Sequence, residues 1–551
     1  MNLRKPGVAL AAALACLAAS CMSSEAPASS QASAGPVVNA PAGSVQGVAQ
    51  GTLHVFKGIP YASPPIGPAR WKAPMPAAHW SGTKDATKFG AACVQPTPRG
   101  QSIYSSDLGQ TSEDCLTLNI WTPAKASKAP VFVWIHGGSL VTGSSKESLY
   151  DGARMAERGI IVVSINYRLG VLGYLAHPEL SAEANGYSGN YGLLDQIEAL
   201  RWVKTNIGAF GGDSNNVTVA GESAGGLSVM YLLASPPARG LFQKAVAESA
   251  YMISTQALKE KAYGAPSAEE SGVMLATRLK ASGIADLRAM DAQKLTDAAA
   301  GGFQPFGAID GKILPAQLVE VFDKGEQAHV PLLAGFNSGE IRSLQTLAPP
   351  PPATSADYEK TIRERYGDLA DEFLRLYPSS NMHESLFAAT RDAFYGWTAE
   401  RLARKQAAAG APAFLYEFDH SYPAAEAANL HAHHASELPY VFANPDRTPA
   451  LWPKIPATPA ETRMSDAMIG YWTSFARTGR PQAKGESDWP AYGKTGGYML
   501  FSDIPHASEH VMPGMYELQE ASVCRRKAAN TGWTLNIATR SPPLAKAPGC
   551  G

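Results

Sequence analysis

The sequence lacks any excess of charge of one sign. Its 551 residues include 47 lysines and arginines against 48 aspartates and glutamates, and no basic block or acidic tail stands out. A protein that binds nucleic acid carries clustered positive charge, so nucleic acid is excluded as an expected partner. Hydrophobic residues make up 45% and charged residues 17% of the chain, which is an ordinary globular composition.

The N-terminal region lacks an apolar run long enough to span a bilayer. The run from Val8 to Ala19 has twelve residues, whereas a transmembrane helix needs about 20. Arg4 and Lys5 precede it and LAAS leads into Cys21, which predicts an export signal over residues 1–21 that resembles a lipoprotein signal. Lipid on Cys21 would then be the one membrane link of a periplasmic or outer-membrane-anchored protein. The alternative is a plain secretory signal with an incidental cysteine.

The next segment has the composition of a linker. Residues 22–36, MSSEAPASSQASAGP, predict a disordered tether because they are rich in serine, alanine and proline. We expect residues 37–551 to form a single domain, since no internal repeat divides them. The sequence does not specify an oligomeric state.

Cysteine is scarce. Of the six cysteines, Cys16 and Cys21 belong to the predicted signal, and the others are Cys93, Cys115, Cys524 and Cys550. An even number in an exported chain favours disulfides, and pairing of near neighbours is the simplest of the three connectivities. Free buried thiols are the alternative. The spacing matches no metal site, and we expect neither a metal nor an organic cofactor.

Strand and helix patterns alternate along the middle of the chain. Ala129–Gly138 and Gly159–Arg168 are continuous apolar runs typical of buried strands, and NVTVAGES at 216–223 predicts a third strand. Leu193–Gly212 has apolar residues at helical spacing and a glycine stop. The alternation predicts an α/β fold with a mostly parallel sheet that helices cover on both faces.

Ser223 stands between Gly221 and Gly225, where the third strand meets an apolar, helix-like segment. This strand–turn–helix context predicts a nucleophile elbow, a sharp turn that projects a reactive serine above the sheet. A serine nucleophile needs a base, and the base needs an orienting acid. With twelve histidines and 48 acidic residues, residue types alone do not identify these partners.

The chain resembles the type-B carboxylesterases, the family of bacterial para-nitrobenzyl esterases, cholinesterases and neuroligins. The motifs, which lie in order between about residues 37 and 520, are FKGIPYASPPIGPARWKAP (56–74), SEDCLTLNIWTP (112–123), VFVWIHGGSLVTGSS (131–145), VSINYRLGVLGYL (163–175), GNYGLLDQIEALRWVKTNIGAFGGDSNNVTVAGESAGG (189–226), AIDGKILP (308–315), GFNSGE (335–340) and HHASELPYVF (433–442). The resemblance implies an α/β-hydrolase fold with helical insertions around an active-site gorge. It also implies hydrolysis of carboxylic esters through an acyl-enzyme.

The resemblance places the partners of the elbow serine. GFNSGE resembles the segment with the acid and gives Glu340, while the HHASELPYVF segment gives His434 as the base. His434 is preferred over its neighbours His431 and His433 because it stands three residues before Glu437, as the motif demands. The order of serine, glutamate and histidine is that of α/β-hydrolases. A solvated surface carboxylate is the alternative for Glu340.

The oxyanion hole is expected in HGGSL and at the elbow. The resemblance assigns its donors to the backbone N–H groups of Gly138, Ser139 and Ala224. Ser139 replaces a glycine that is frequent in the family, but its N–H survives the change. An ordinary turn at the end of a strand is the alternative.

The resemblance also implies roles for residues around the triad. Glu222 would bias the electrostatics near the base, and Ser249 would support the acid–base network. Arg70 and Glu113 would form a buried structural ion pair. Cys93–Cys115 would be the family's first disulfide and would close a loop near the mouth of the gorge.

The expected partner is a small-molecule substrate, a small or medium uncharged carboxylic ester. The loop 94–114 holds Tyr104 but no tryptophan, which disfavours choline esters because cholinesterases bind the ammonium group on a tryptophan there. Leu140 replaces an aromatic residue common in the family and predicts a more open, aliphatic site. Phe303 and Phe306 would wall an acyl pocket, with core packing as the alternative.

Other functions share this framework. The same triad serves amidases, carbamate hydrolases and lipases, and a bulky ester is a further alternative substrate. The fold also builds non-catalytic adhesion proteins, which lose members of the triad, whereas all three candidates are present here.

Overall fold

The apolar runs of the sequence form neighbouring strands at the centre of one large sheet. The computed structural model describes residues 35–534 and 536–550. The expected export signal and, apart from Gly35 and Pro36, the expected linker lie outside these residues. The strands are β1 (Val37–Ala40), β2 (Gly43–Gln46), β3 (Val48–Gln50), β4 (Leu53–Pro60), β5 (Thr83–Asp85), β6 (Ala92–Cys93), β7 (Thr111–Ser112), β8 (Thr117–Pro123), β9 (Ala129–Ile135), β10 (Ile161–Ile165), β11 (Gly212–Glu222), β12 (Lys244–Glu248), β13 (Leu332–Asn337), β14 (Ala413–Phe418), β15 (Gly497–Phe501) and β16 (His506–Glu509).

The large sheet is parallel in its centre and antiparallel at its edges. In the described part of the chain its strand order is β16, β15, β14, β13, β12, β11, β9, β10, β8, β4 and β3. Every neighbouring pair from β10 to β15 is parallel. The strands β3, β4, β8 and β16 pair antiparallel with their neighbours. The prediction of a mostly parallel sheet is confirmed.

Helices connect the parallel strands and pack on the sheet. They are α1 (Ala153–Glu157), α2 (Gly170–Tyr174), α3 (Pro178–Glu183), α4 (Tyr191–Asn206), α5 (Ala224–Ala234), α6 (Ala268–Arg278), α7 (Ile284–Ala289), α8 (Ala292–Ala299), α9 (Leu318–Asp323), α10 (Ser355–Tyr366), α11 (Ala370–Leu376), α12 (Met382–Arg391), α13 (Trp397–Ala408), α14 (Pro423–Ala427), α15 (Leu438–Val441), α16 (Pro459–Thr478) and α17 (Met515–Ala528). The predicted helix at 193–212 corresponds to α4 and a 3-10 turn that ends at Phe210.

Strand β9 shows why the sheet is buried on both faces. Its side chains alternate, so Val131 and Val133 belong to one hydrophobic core while Phe132 and Trp134 belong to another. The first core includes apolar residues of α4 and α5, and the second includes residues of α16. Helices therefore cover both faces, as expected for a parallel sheet.

The carboxyl ends of the central strands carry the candidate site. HGGSL follows β9, Ser223 follows β11, and Glu340 lies three residues beyond β13. Because neighbouring parallel strands end at the same edge, these segments converge there. In the part of the chain that the structure describes, no helix has both the length and the apolar character that crossing a membrane requires.

Candidate active site

Ser223 occupies the sharp turn between β11 and α5. Its φ is 56° and its ψ is −118°, a conformation that non-glycine residues rarely adopt. Its N–H donates to the carbonyl of Glu248 at 2.9 Å, which ties the turn to the end of β12. A Cβ at Gly221 would lie 2.5 Å from the carbonyl carbon of Gly225, and one at Gly225 would lie 2.1 Å from Ile135 O. Both glycines are therefore required by the close approach of backbone segments.

Glu340 and His434 are in direct contact. Glu340 Oε2 accepts a hydrogen bond from Nδ1 of His434, and its Oε1 accepts the N–H of Asn337 at 2.9 Å. Glu340 is fully buried and His434 is 6% exposed. Both oxygens of the carboxylate thus have a donor, and the bond to Nδ1 directs Nε2 to the opposite side of the ring.

The loop that carries His434 is fixed to the loop that carries Glu340. The N–H of Gly339 donates to Ala432 O at 2.9 Å, and Nδ2 of Asn337 donates to His433 O at 2.8 Å. These bonds link segments almost a hundred residues apart in the sequence. They set the position of the histidine relative to its acid.

His434 Nε2 lies 3.0 Å from Glu222 Oε1. This contact is an ion pair rather than an aligned hydrogen bond, since Glu222 Oε1 has no hydrogen-bond partner among the described residues. Burial would lower the pKa of His434, but the carboxylates of Glu222 and Glu340 outweigh it and raise that pKa to about 9. Burial raises the pKa of Glu222 to about 7. The imidazole therefore sits between two carboxylates and its cationic form is favoured.

Glu222 and Ser223 are consecutive, so Nε2 of His434 faces the elbow. Within the described residues, the Ser223 hydroxyl has no hydrogen-bond partner. Catalytic hydrogen bonds are often long or misaligned in the absence of substrate.

The HGGSL turn lies against the elbow. A Cβ at Gly137 would come within 3.3 Å of the Ser223 Cβ. Gly138, Ser139 and Leu140 all have positive φ, at 99°, 58° and 60°, which makes a tight turn. Among described residues the N–H groups of Gly138, Ser139 and Ala224 donate to no acceptor. Such free donors are what an oxyanion site requires.

The residues of the predicted pocket differ in their exposure. Leu140 is fully buried and belongs to the main core, and its place in the substrate pocket stays a prediction. Phe303 and Phe306 are half-buried and pack against the same core.

Ser249 follows β12 with a φ of 43°, and its N–H donates to Gly335 O at 2.9 Å. Its hydroxyl is buried without a hydrogen-bond partner among the described residues. The structure therefore forms no hydrogen bond from this hydroxyl to the acid–base network, and the supporting role stays a prediction.

The ion pair and the disulfides that were expected from the sequence are present. Arg70 and Glu113 form a two-point ion pair, with Nε to Oε1 at 2.7 Å and Nη2 to Oε2 at 2.6 Å. Disulfides join Cys93 to Cys115 and Cys524 to Cys550.

Sequence reasoning missed two buried carboxyl groups close to the triad. Glu248 accepts a hydrogen bond from Trp472 Nε1 at 2.6 Å, and Glu437 accepts one from Asn337 Nδ2 at 2.5 Å. Burial raises the pKa of Glu248 to about 8 and the pKa of Glu437 well above its ordinary value. Burial thus favours the neutral form of both carboxyl groups. From the sequence, Glu437 served only to identify His434 within the HHASELPYVF motif.

Two aromatic residues of the site were missed as well. The ring of Tyr395 lies 5.2 Å from that of His434 and belongs to a π-helical turn, Asp392–Gly396. Turns of this kind are frequent at functional sites, but no sequence signal predicts them here. The hydroxyl of Tyr104 lies 2.9 Å from the carbonyl of His434. Its position as the one aromatic residue of the loop 94–114 was the available signal.

Comparison with known proteins agrees with this geometry. Residues 34–517 match the model of the carboxylesterase family. The chain belongs to this family. It is 38% identical over 480 residues to the para-nitrobenzyl esterase of Bacillus subtilis (strain 168), covering 83% of this chain and 92% of the relative. It is 36% identical over 478 residues to the fumonisin B1 esterase of Sphingopyxis macrogoltabida, covering 83% and 85%.

Solved structures support the same assignment. A PNB esterase structure superposes with a TM-score of 0.75 at 33% identity, covering 88% of this chain and 99% of that one. The carboxylesterase of Geobacillus stearothermophilus gives a TM-score of 0.69 at 31% identity, covering 90% and 100%. The predicted family and α/β-hydrolase fold are confirmed, and this carboxylesterase is a serine-dependent carboxylic ester hydrolase.

Proposed function

We propose that Ser223 is the nucleophile, His434 the general base and Glu340 the acid that orients it. The contact between Glu340 and Nδ1 of a buried histidine, with Nε2 facing the elbow, carries this proposal. The order of the three residues along the chain supports it, since it is the order used in α/β-hydrolases. The strained backbone of Ser223 supports the role of nucleophile.

Acylation begins as Ser223 Oγ attacks the ester carbonyl carbon while His434 Nε2 takes the hydroxyl proton. The carbonyl oxygen becomes an oxyanion, which the free N–H groups of Gly138, Ser139 and Ala224 bind. Each such donor is worth about 3 kcal/mol of transition-state stabilisation. The imidazolium then gives its proton to the leaving alcohol, and the acyl group stays on Ser223 Oγ.

Deacylation repeats the same steps with water as the nucleophile. His434 takes a proton from the water as its oxygen attacks the acyl carbon, and returns the proton to Ser223 Oγ as the carboxylic acid leaves. Glu340 stabilises the imidazolium in both halves of the reaction. The net reaction consumes one ester and one water, yields one alcohol and one carboxylic acid, and regenerates the three side chains.

We propose a small or medium uncharged carboxylic ester as the substrate, with Phe303 and Phe306 on the acyl side. The absence of tryptophan from the loop 94–114 argues against choline esters. Relatives are named as esterases of para-nitrobenzyl esters, fumonisin B1 and cocaine, so the named substrates differ from one relative to another. Rates on an ester and its matched amide would separate an esterase from an amidase with the same triad.

The triad is tested with para-nitrophenyl acetate and butyrate. We expect Ser223→Ala to lose at least about 1,000-fold in kcat/KM, because the covalent route is removed. An organophosphonate probe should add its mass to the wild type and not to Ser223→Ala. Ser355→Ala, an exposed serine at the start of α10, is the matched control and should keep full activity and labelling. Retained activity or labelling of Ser223→Ala would remove Ser223 from the mechanism.

We also propose that residues 1–21 direct export and that Cys21 receives lipid. The basic and apolar segments before Cys21 support this, as do two disulfides, which form in oxidising compartments. The mass of the mature N-terminal peptide, expressed in a lipoprotein-competent bacterium, tests it. A peptide that begins at an unmodified residue after Cys21 would indicate a plain secretory signal instead.

A further inference from the structure

Tyr104 links three segments of the active site. Its hydroxyl donates to the backbone carbonyl of His434 at 2.9 Å and lies 2.7 Å from the hydroxyl of Ser343, which follows Glu340 by three residues. A tyrosine hydroxyl has one proton to donate, so the second contact is an acceptance from Ser343. Tyr104 itself lies between Cys93 and Cys115, in the loop closed by their disulfide.

The carbonyl of His434 receives a second hydrogen bond, from His433 Nδ1 at 2.9 Å. A carbonyl oxygen has two lone pairs, so both are used. The next residue, Ala435, has a φ of 64°, a conformation that costs free energy unless its surroundings hold it. The two donors therefore fix the orientation of the peptide plane that follows the His434 side chain.

The disulfide-closed loop is itself attached to the oxyanion turn. The side-chain amide of Gln95 accepts from the N–H of Gly143 at 3.0 Å and donates to the Gly143 carbonyl at 3.1 Å. Gly143 directly follows the turn that begins at Gly138. One covalently closed loop thus contacts both the oxyanion turn, through Gln95, and the histidine loop, through Tyr104.

We propose that Tyr104 is a positioning residue for His434 and that the Cys93–Cys115 disulfide holds Tyr104 in place. The inference rests on the proposed role of His434 as the base. Without the Tyr104 hydroxyl the peptide of His434 tilts, and a smaller fraction of the enzyme has Nε2 aligned with Ser223. Misalignment of a catalytic group lowers kcat and leaves binding of a small ester nearly unchanged.

The variant Tyr104→Phe keeps the ring and removes the hydroxyl. We expect kcat for para-nitrophenyl acetate to fall about tenfold while KM stays within about twofold. Tyr358→Phe is the matched control, since that hydroxyl also donates to a backbone carbonyl, Tyr377 O at 2.9 Å, but lies in a separate core. It should lower the melting temperature without lowering kcat. An unchanged kcat in Tyr104→Phe would overturn the proposal.

The role of the disulfide is tested by combining its removal with Tyr104→Phe and comparing kcat. If the disulfide acts through Tyr104, Cys93→Ser/Cys115→Ser lowers kcat, and adding Tyr104→Phe lowers it by less than about a further twofold, because the same contact is already lost. If the combined variant loses kcat by the product of the two separate fold-losses, the effects are independent, and the claim that the disulfide acts through Tyr104 is overturned. Cys524→Ser/Cys550→Ser, which opens the other disulfide, should keep kcat. If the Cys93 variant does not fold, Tyr104→Phe with its control decides the positioning role alone.

His434→Ala, measured in the same series, separates the two proposals. Loss of activity in His434→Ala with full activity in Tyr104→Phe overturns only the role of Tyr104. Full activity in His434→Ala would overturn the proposed base, and the positioning role with it.

Discussion

Nε2 of His434 lies 3.0 Å from Oε1 of Glu222, the residue immediately before Ser223. Nδ1 of the same ring contacts Glu340 on the opposite side. A histidine between two buried carboxylates is a stronger base than a free one, because its cationic form is stabilised. The same arrangement reduces the fraction of neutral imidazole in the resting enzyme at pH 7.

The pH dependence of kcat/KM follows from this arrangement. If His434 is the base, as proposed, its neutral form is active, and because its pKa is raised to about 9, activity should rise with pH from about 6.5 toward about 9. Glu222→Gln removes one of the two negative charges and should move the apparent pKa down toward the ordinary histidine value of about 6.5. The measured value belongs to the coupled pair of Glu222 and His434.

The profile is measured on para-nitrophenyl acetate with the spontaneous hydrolysis subtracted at each pH. Glu509 is an exposed glutamate on β16, and Glu509→Gln is the control, which should leave the apparent pKa of kcat/KM unchanged. An apparent pKa near 6.5 in the wild type would contradict the electrostatic argument.

Glu340→Gln tests the orienting acid. A glutamine keeps the shape of the side chain but loses the charge that stabilises the imidazolium, and its amide group favours the wrong tautomer of His434. We expect kcat to fall by about 1,000-fold or more with a much smaller change in KM. Thermal melting should show a folded protein, and Glu157→Gln, an exposed glutamate in α1, should retain the wild-type kcat. A loss below about tenfold would contradict the role of Glu340 as the orienting acid.

The sequence predicts the elbow on local grounds. A β-branched strand, two glycines around Ser223 and an apolar helix are enough to identify it, and the clashes that a Cβ would make at Gly221 and Gly225 explain the pattern. The partners of Ser223 needed the family resemblance, because contacts such as Glu340 with His434 join residues 94 positions apart. Local periodicity carries no information about such pairs.

Other features of the site depend on tertiary contacts that no motif records. Tyr104 and His434 are separated by 330 positions, and their hydrogen bond exists only in the folded chain. The positive φ of the non-glycine residues Ser139 and Leu140, which continue the turn from Gly138, is not revealed by the letters HGGSL. Local patterns therefore predicted the elbow serine, the resemblance was needed for His434, and neither indicated the contact of Tyr104 with the histidine loop.

Removal of the second disulfide should affect stability and not chemistry. Cys524 and Cys550 are 26 residues apart, and a loop of this length restricts the unfolded chain enough to contribute about 3 to 4 kcal/mol to the free energy of unfolding. We expect Cys524→Ser/Cys550→Ser to have a lower midpoint in urea and an unchanged kcat at 25 °C. A lowered kcat in the fully folded variant would show that the C-terminal loop reaches the active site.

Gly225 provides a direct test of how the elbow is built. A methyl group at this position would lie 2.1 Å from Ile135 O, a backbone atom of the central strand β9 that cannot move without breaking the sheet. Gly225→Ala should therefore displace the start of α5, lower both the melting temperature and kcat, and reduce labelling by the organophosphonate. Gly208→Ala is the control, since that glycine has open space around its missing Cβ and no positive φ, and alanine is favourable there. If Gly225→Ala matched the wild type in labelling rate, the close packing of α5 on β9 would not be what holds Ser223 in its strained conformation, and the hydrogen bond from its N–H to Glu248 O would have to supply that constraint.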